Sequence, residues 1–244
     1  GLTYCRHART LLEQGDVAEA MLRKGASAPA GRLRVNVAVA MGRLVFAPEI
    51  RGLLERYPRF TLEQGCSDRA VDLVGEGVDC ALRGGVLPDS QLSARRVGDL
   101  RFVLCAAPRY IDGHGLPDSP DVLVRHQQIG YVLASTGRVR PVRLERAGQV
   151  VEHDVPARFV TTDSAAALSV GLDGLGLIVL AEFVASHYLT SGALVRVLPD
   201  WECPSLPLQL VTPTARKRAA RVQVFMDWAH ALLLRRLGSQ LDTR

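Results

Sequence analysis

Residues 67–96 constrain the fold of this chain more than any other stretch. Val71, Leu73 and Val74 give an apolar side to a short predicted helix, and Asp68 can cap its start. Gly75 and Gly77 follow, where a turn with φ > 0 would end that helix. The unbroken run Val78-Asp-Cys-Ala-Leu82 then suits a strand covered on both faces, as in a parallel sheet. Helix, glycine turn and buried strand in succession define an α/β chain.

The alternation extends in both directions. Tyr4, Ala8, Leu11, Gly15, Ala18 and Leu22 recur at steps of four and three, a heptad seam that predicts a helix over 2–24 paired with a partner. Ala26-Ser-Ala-Pro-Ala-Gly31 breaks the pattern, and Leu33, Val35, Val37 and Val39 then alternate as a first strand. A helix with Phe46, Ile50, Leu53, Leu54 and Tyr57 on one stripe closes at Pro58; Phe60 and Leu62 open a second strand. Strand-like runs recur at 92–97 and 102–106, and Pro108 with the loop Asp112-Gly-His-Gly115 marks a change of composition.

Beyond that loop, strands are predicted at 129–133, 149–151, 158–160, 177–180 and 194–198, with helices at 164–172 and 182–189. Pro204 and Pro207 flank a second crossing. Leu208–Val211 would rejoin the first sheet, and an amphipathic helix over 218–237 closes the chain. Strands alternating with helices imply parallel βαβ units, and two crossings imply two lobes about a cleft.

Composition narrows the function classes. Of 244 residues 48% are hydrophobic and 23% charged, as in an ordinary globular protein. No apolar run approaches the ~18 residues of a membrane span, and charges interleave through the first 24 residues. No membrane contact and a cytoplasmic location are therefore expected. Five cysteines without a CxxC pair read as free thiols, not a disulfide framework or zinc site. The net charge of +5 comes from arginine, since Lys24 and Lys217 are the only lysines. Arg138, Arg140, Arg143 and Arg146 read as a solvated face, as do Arg216, Lys217, Arg218 and Arg221, with no nucleic-acid motif beside them.

Catalytic constellations are not found. Gly171, Gly174 and Gly176 lack dinucleotide spacing, and the six histidines lack metal-ligand spacing. Ser135, His153 and Asp154 have no nucleophile elbow to support a triad. No catalytic residue, metal or cofactor is assigned. The better candidate is a small-molecule cleft, because ligands in open α/β sheets sit beyond the carboxyl ends of strands, where helix starts present free N–H groups. That rule selects Met41, Gly42 and Arg43 after the first strand, Cys66 and Ser67 after the second, and Arg83 at the end of the third. Cys105 lies at a further strand end, while Ser135, Thr162 and Asp163 face the group from the second lobe. Arg43 or Arg83 would pair with a carboxylate, which points to an organic acid or aromatic ligand. The alternative for Arg83 is a structural tie to Asp68 or Asp72.

As a string, the chain resembles the effector-binding domain of LysR-type transcriptional regulators. Ser67–Arg96 follows that pattern almost position for position. Gly31-Arg-Leu-Arg-Val35 resembles the start of the domain, Pro48 to Pro58 its first helix, and Leu104-Cys-Ala-Ala-Pro-Arg-Tyr110 the segment between lobes. Thr162-Asp163 with Gly174-Leu-Gly-Leu177, and Gly192 through Trp201, resemble two later blocks. Ala181 stands where the family usually has proline.

The resemblance implies a two-lobed periplasmic-binding-protein-like (type 2) α/β fold with two crossovers and an interlobe cleft, preceded by a linker helix. It divides the chain into a linker and dimerisation helix (1–27), a first lobe (28–106 with 207–238), a second lobe (107–206) and a tail (239–244). It also implies a small-molecule effector and a homodimer or homotetramer, paired through the linker helix and the helix Phe46–Tyr57. DNA would be reached only through an N-terminal winged helix-turn-helix that this sequence does not contain. A transport-type solute-binding protein of the same fold is the alternative, and an enzyme on that scaffold the second. The heptad seam and the lack of a signal-peptide pattern favour the regulator.

Overall fold

A computed structural model describes residues 29–69, 71–85, 91–133, 136–217, 219–238 and 241–242. The predicted helix over 2–24 lies outside the described residues, and so does Ser135. Strand β1 (Gly31–Val37) turns Leu33, Val35 and Val37 into one buried cluster. The chain then coils through α1 (Val39–Met41), a π turn (Gly42–Phe46), a 3₁₀ turn (Ala47–Glu49) and α2 (Ile50–Arg56). Phe46 and Leu53 are buried from this run, with Leu54 and Tyr57 partly buried against the same core. Strand β2 (Phe60–Cys66) pairs parallel with β1 from Gly31 opposite Phe60 to Val37 opposite Cys66.

Strand β3 (Cys80–Gly84) runs parallel to β1 on its other side. Cys80 and Leu82 face the β1 core, while Ala81 meets Leu73, Val78 and Val211 on the opposite face. Both faces are thus covered, as the apolar run predicts. Asp79 sits within that run at 5% exposure because its polar atoms are matched. Its Oδ2 accepts from Arg34 N (2.8 Å), its Oδ1 from Arg216 Nη1 (3.0 Å), and its backbone oxygen from Thr212 Oγ1 (2.8 Å).

The expected helix before β3 is absent among the described residues. Asp72 Oδ1 accepts from the N–H groups of Val74 (3.1 Å) and Gly75 (2.9 Å), closing a local turn that competes with helix propagation. Gly77 takes φ +67°, as expected, whereas Gly75 is needed for space, since a Cβ there would collide with the Asp72 carboxylate.

The two strand-like runs at 92–97 and 102–106 are one strand, β4 (Leu92–Ala106). Val97 and Leu100 belong to the first core, and Leu104 and Ala106 already belong to a second. One strand, β4, therefore contributes to both cores. The return is made inside β11 (Cys203–Pro213), antiparallel to β4 from Cys203 opposite Phe102 to Pro213 opposite Leu92. Cys203 packs in the second core, and Leu208 and Leu210 in the first. The main sheet runs β10-β4-β11-β3-β1-β2, where β10 is Val195–Arg196, with β9 (Ile178–Ala181) and β12 (Leu241–Asp242) also paired to β4.

In the second lobe, helix α3 (Pro108–His114) replaces the expected loop because Pro108 starts it and Tyr110 is buried beneath it. The Tyr110 hydroxyl accepts from Gln127 N (2.9 Å) and lies 3.1 Å from His126 Nδ1. Strand β5 (Gln128–Tyr131) pairs parallel with β8 (Ala157–Thr161). Between them lies a hairpin of β6 (Val142–Arg146) and β7 (Gln149–His153). The arginine stripe conceals β6: Val142 and Leu144 are buried while Arg143 and Arg146 point outward. Arg140 is not part of a solvated face, since its guanidinium sits 4.8 Å from the Phe102 ring centroid; Arg146 similarly covers Trp201 at 4.5 Å.

Helix α4 (Ser164–Leu172), strand β9 (Ile178–Ala181), helix α5 (Glu182–Thr190) and strand β10 (Val195–Arg196) complete the second lobe. Ala181 in place of proline still hands over directly to α5 at Glu182. Helix α6 (Ala220–Leu237) returns to the first lobe, where Phe225 stacks on Phe46 at 6.1 Å and Trp228 meets Phe46 edge-on at 5.8 Å. Strand β12 (Leu241–Asp242) ends the described chain. Among the described residues, no helix is long and apolar enough to cross a membrane.

Candidate functional site

Full register between β1 and β2 brings Val37 and Cys66 to one level, and the chain leaves β1 directly into a helix starting at Val39. The second lobe repeats the device, with Tyr131 opposite Thr161 at the ends of β5 and β8 and α4 starting at Ser164. The two helix starts, one from each lobe, pack against each other. A helix start carries backbone N–H groups without intrahelical partners and a partial positive charge. Asp163 caps α4, its Oδ1 accepting from Ala165 N (2.8 Å) and Ala166 N (3.1 Å).

Asp68 supplies what remains. Its Oδ1 accepts from Val39 N (2.9 Å) and its Oδ2 from Ser164 N (3.0 Å), so one carboxylate joins both helix starts. The loop that carries it is fixed to the first lobe by Ser67 N donating to Val37 O (3.0 Å), and Ser67 Oγ accepts from Arg69 N (3.1 Å). Tyr131 lines the second-lobe side. Burial, then the charges of Asp68 and Asp163, push its phenol up to about 12, so it remains a hydrogen-bond donor.

The expected site residues divide into three groups. Gly42, Arg43, Cys66 and Ser67 lie on the first-lobe bank, and Thr162 and Asp163 on the second. Gly42 lies close against β2: a Cβ there would lie 2.5 Å from Cys66 Sγ and 3.0 Å from Gln64 Nε2, so those side chains would have to shift. Arg43 is exposed. Met41 and Cys105 turn away: Met41 is 2% exposed in the first core, and Cys105 is fully buried in a third cluster with Val103, Ile129 and Ile178. Burial also pushes the Cys105 thiol up to about 12, leaving it protonated and unreactive.

Arg83, at the carboxyl end of β3, keeps a buried Nη2 without a hydrogen-bond partner among the described residues. Neither structural tie considered for it is made: Asp68 is engaged by the helix starts and Asp72 by its own turn. A surface depression of about 220 Å³ lined by Glu145, Arg146, Ala147, Asp200 and Glu202 contains none of the expected site residues. Sequence reasoning missed Asp68 as a site residue, and also Tyr131. The available signal was an acidic residue just past the carboxyl end of a strand, next to another strand that feeds a helix.

This arrangement, two α/β lobes joined by paired crossing strands with helix starts meeting at their seam, defines a ligand-binding module of the two-lobed type. The substrate-binding domain of the LysR family matches residues 26–233, and the chain belongs to that family. It is 33% identical over 234 residues to the HTH-type transcriptional repressor PA14_22550 of Pseudomonas aeruginosa, covering 95% of this chain and 73% of that protein. Against the regulator YhjC of Escherichia coli the identity is 32%, over 93% of this chain and 76% of the relative. Among solved structures, the LysR-type regulator CrgA of Neisseria meningitidis superimposes with TM-score 0.75 at 29% identity, covering 96% of this chain and 79% of that one. The CrgA regulatory domain alone gives 0.73 at 29% identity, over 83% of this chain and 98% of the domain. These relatives are transcriptional regulators, not enzymes.

Proposed function

We propose that this chain senses a small molecule at the seam between its lobes and passes occupancy on to DNA-bound subunits. One observation carries the reading: helix starts from two different lobes meet at the carboxyl ends of β1, β2 and β8, where the N–H groups of Val39 and Ser164 converge on the single carboxylate of Asp68, near the Tyr131 phenol. Gly42, Arg43, Cys66 and Ser67 form one wall of the site, and Tyr131, Thr162 and Asp163 the other. Arg83, with its unpartnered Nη2, is the cation for an organic acid or an acidic aromatic effector. The effector shifts the lobe or subunit arrangement by no more than its difference in affinity for the two states. The protein acts in the cytoplasm as a homodimer or homotetramer, with DNA contact made by a helix-turn-helix of the kind for which its relatives are named.

A thermal-shift screen of the purified chain against organic acids, aromatics and amino acids tests this. A ligand that binds only the folded state raises the melting temperature in a concentration-dependent way. Ser67→Phe or Thr162→Phe should abolish that rise without unfolding the chain. A response surviving both substitutions would place the ligand elsewhere, and a flat response across the library would remove the sensing role.

A further inference from the structure

Asp68 is part-buried at the seam, and its two oxygens serve two lobes. The Oδ1 bond to Val39 N stays within the first lobe, whereas the Oδ2 bond to Ser164 N crosses to a residue 96 positions away. Asp163 has already satisfied Ala165 and Ala166, so Ser164 N is the donor of the first turn of α4 that Asp163 leaves over. The Asp68 loop is pinned to β1 through Ser67 N and Val37 O, so any separation of the lobes must break the Oδ2 bond.

We propose that Asp68 is an interlobe latch: an internal carboxylate that holds the seam closed by occupying both helix starts at once. This rests on the seam being the sensing site, but concerns how that site opens. A neutral effector binds beside the latch. An effector with a carboxylate reaches the helix starts only by displacing Asp68, and so exchanges an internal anion for an external one. The charge at the helix starts is conserved in that exchange, and what changes is whether the anion is tethered to the first lobe.

Hydrogen exchange of the ¹⁵N-labelled chain, followed residue by residue, tests the latch without any effector. Asp68→Asn keeps one acceptor oxygen and turns the other position into a donor, and Asp68→Ala removes both acceptors. Loss of a charge-assisted hydrogen bond should speed exchange of the Ser164 amide roughly ten- to hundredfold in either variant. Asp163→Ala is the control, exposing Ala165 and Ala166 while leaving Val39 protected. In Asp68→Ala, formate should slow exchange at both Val39 and Ser164, with no such effect on the wild-type chain. If only Val39 speeds up and Ser164 is unchanged, Asp68 is a cap within one lobe and the latch is overturned. A flat thermal-shift screen with intact Ser164 behaviour would remove the effector reading and leave the latch standing.

Discussion

Asp79 and Asp68 lie on the same short stretch of chain, yet they are used in opposite ways. Asp79 is almost wholly buried, and its carboxylate and backbone tie β1, β11 and Arg216 together inside one lobe. Asp68 is part-buried and spends its two oxygens on two lobes. A carboxylate surrounded by donors from one rigid body fixes that body, while a carboxylate shared between two bodies fixes only their relation. The first contributes to whether the chain folds, and the second to which arrangement the folded chain adopts.

The largest expected effect breaks the first half of that comparison. Asp79→Ala removes the buried carboxylate that accepts from Arg34 N and Arg216 Nη1 and should cost ~3–5 kcal/mol in urea unfolding. A loss below about 1 kcal/mol would mean that the buried pair does not hold the lobe. Next, Gly42→Ala overpacks the floor of the seam against Cys66 and should cost ~1–3 kcal/mol. Adding Cys66→Ala should recover part of this loss, because the two positions share one contact. An additive double variant would show that the strain lies elsewhere.

Asp68→Asn sharpens the contrast with Asp79. Its effect on global unfolding should be only about 1 kcal/mol, even as it changes exchange at Ser164. The smallest effect is a slope with pH. Burial, then the nearby charge of His114, hold His126 below its ordinary 6.5, so the unfolded chain takes up that proton more readily than the folded one. Stability is therefore full above the ordinary value and falls as the pH drops through it toward the lower folded value. His230 is pushed in the same direction by burial. Melting curves across this range should flatten in His126→Gln without becoming level, and an unchanged slope would acquit His126.

The sequence was legible where pattern and environment agree. The Leu33, Val35, Val37 alternation gave β1, and the apolar stripe before Leu237 gave α6, because one face of each element meets one core. It misled where a side chain competes with its own backbone: Asp72 takes the N–H groups that a helix over 67–74 would have needed. It also misled where charge masked period, since Val142 and Leu144 alternate in β6 beneath the arginines. The stretch Gly98–Arg101 made β4 read as two strands, although β11 pairs with it across that gap, from Leu92 to Phe102. Within the site, strand ends selected Gly42, Cys66 and Asp163, but also Met41 and Cys105, whose side chains point into cores. The role of Asp68 was not legible, since its donors lie 29 and 96 residues away and local spacing offers a nearer helix to cap.

The side-by-side course of β4 and β11 has a mechanical consequence. The lobes do not hang from two separate strings: the two strands that cross between them are hydrogen-bonded to each other within one sheet, so one cannot bend or twist without the other. The register shift between Cys203 and Leu206 adds local bend and twist where β11 passes from one lobe to the other. A turn of one lobe against the other must therefore be carried by both strands together, and a small twist there is magnified into a larger displacement at the ends of the lobes farthest from it.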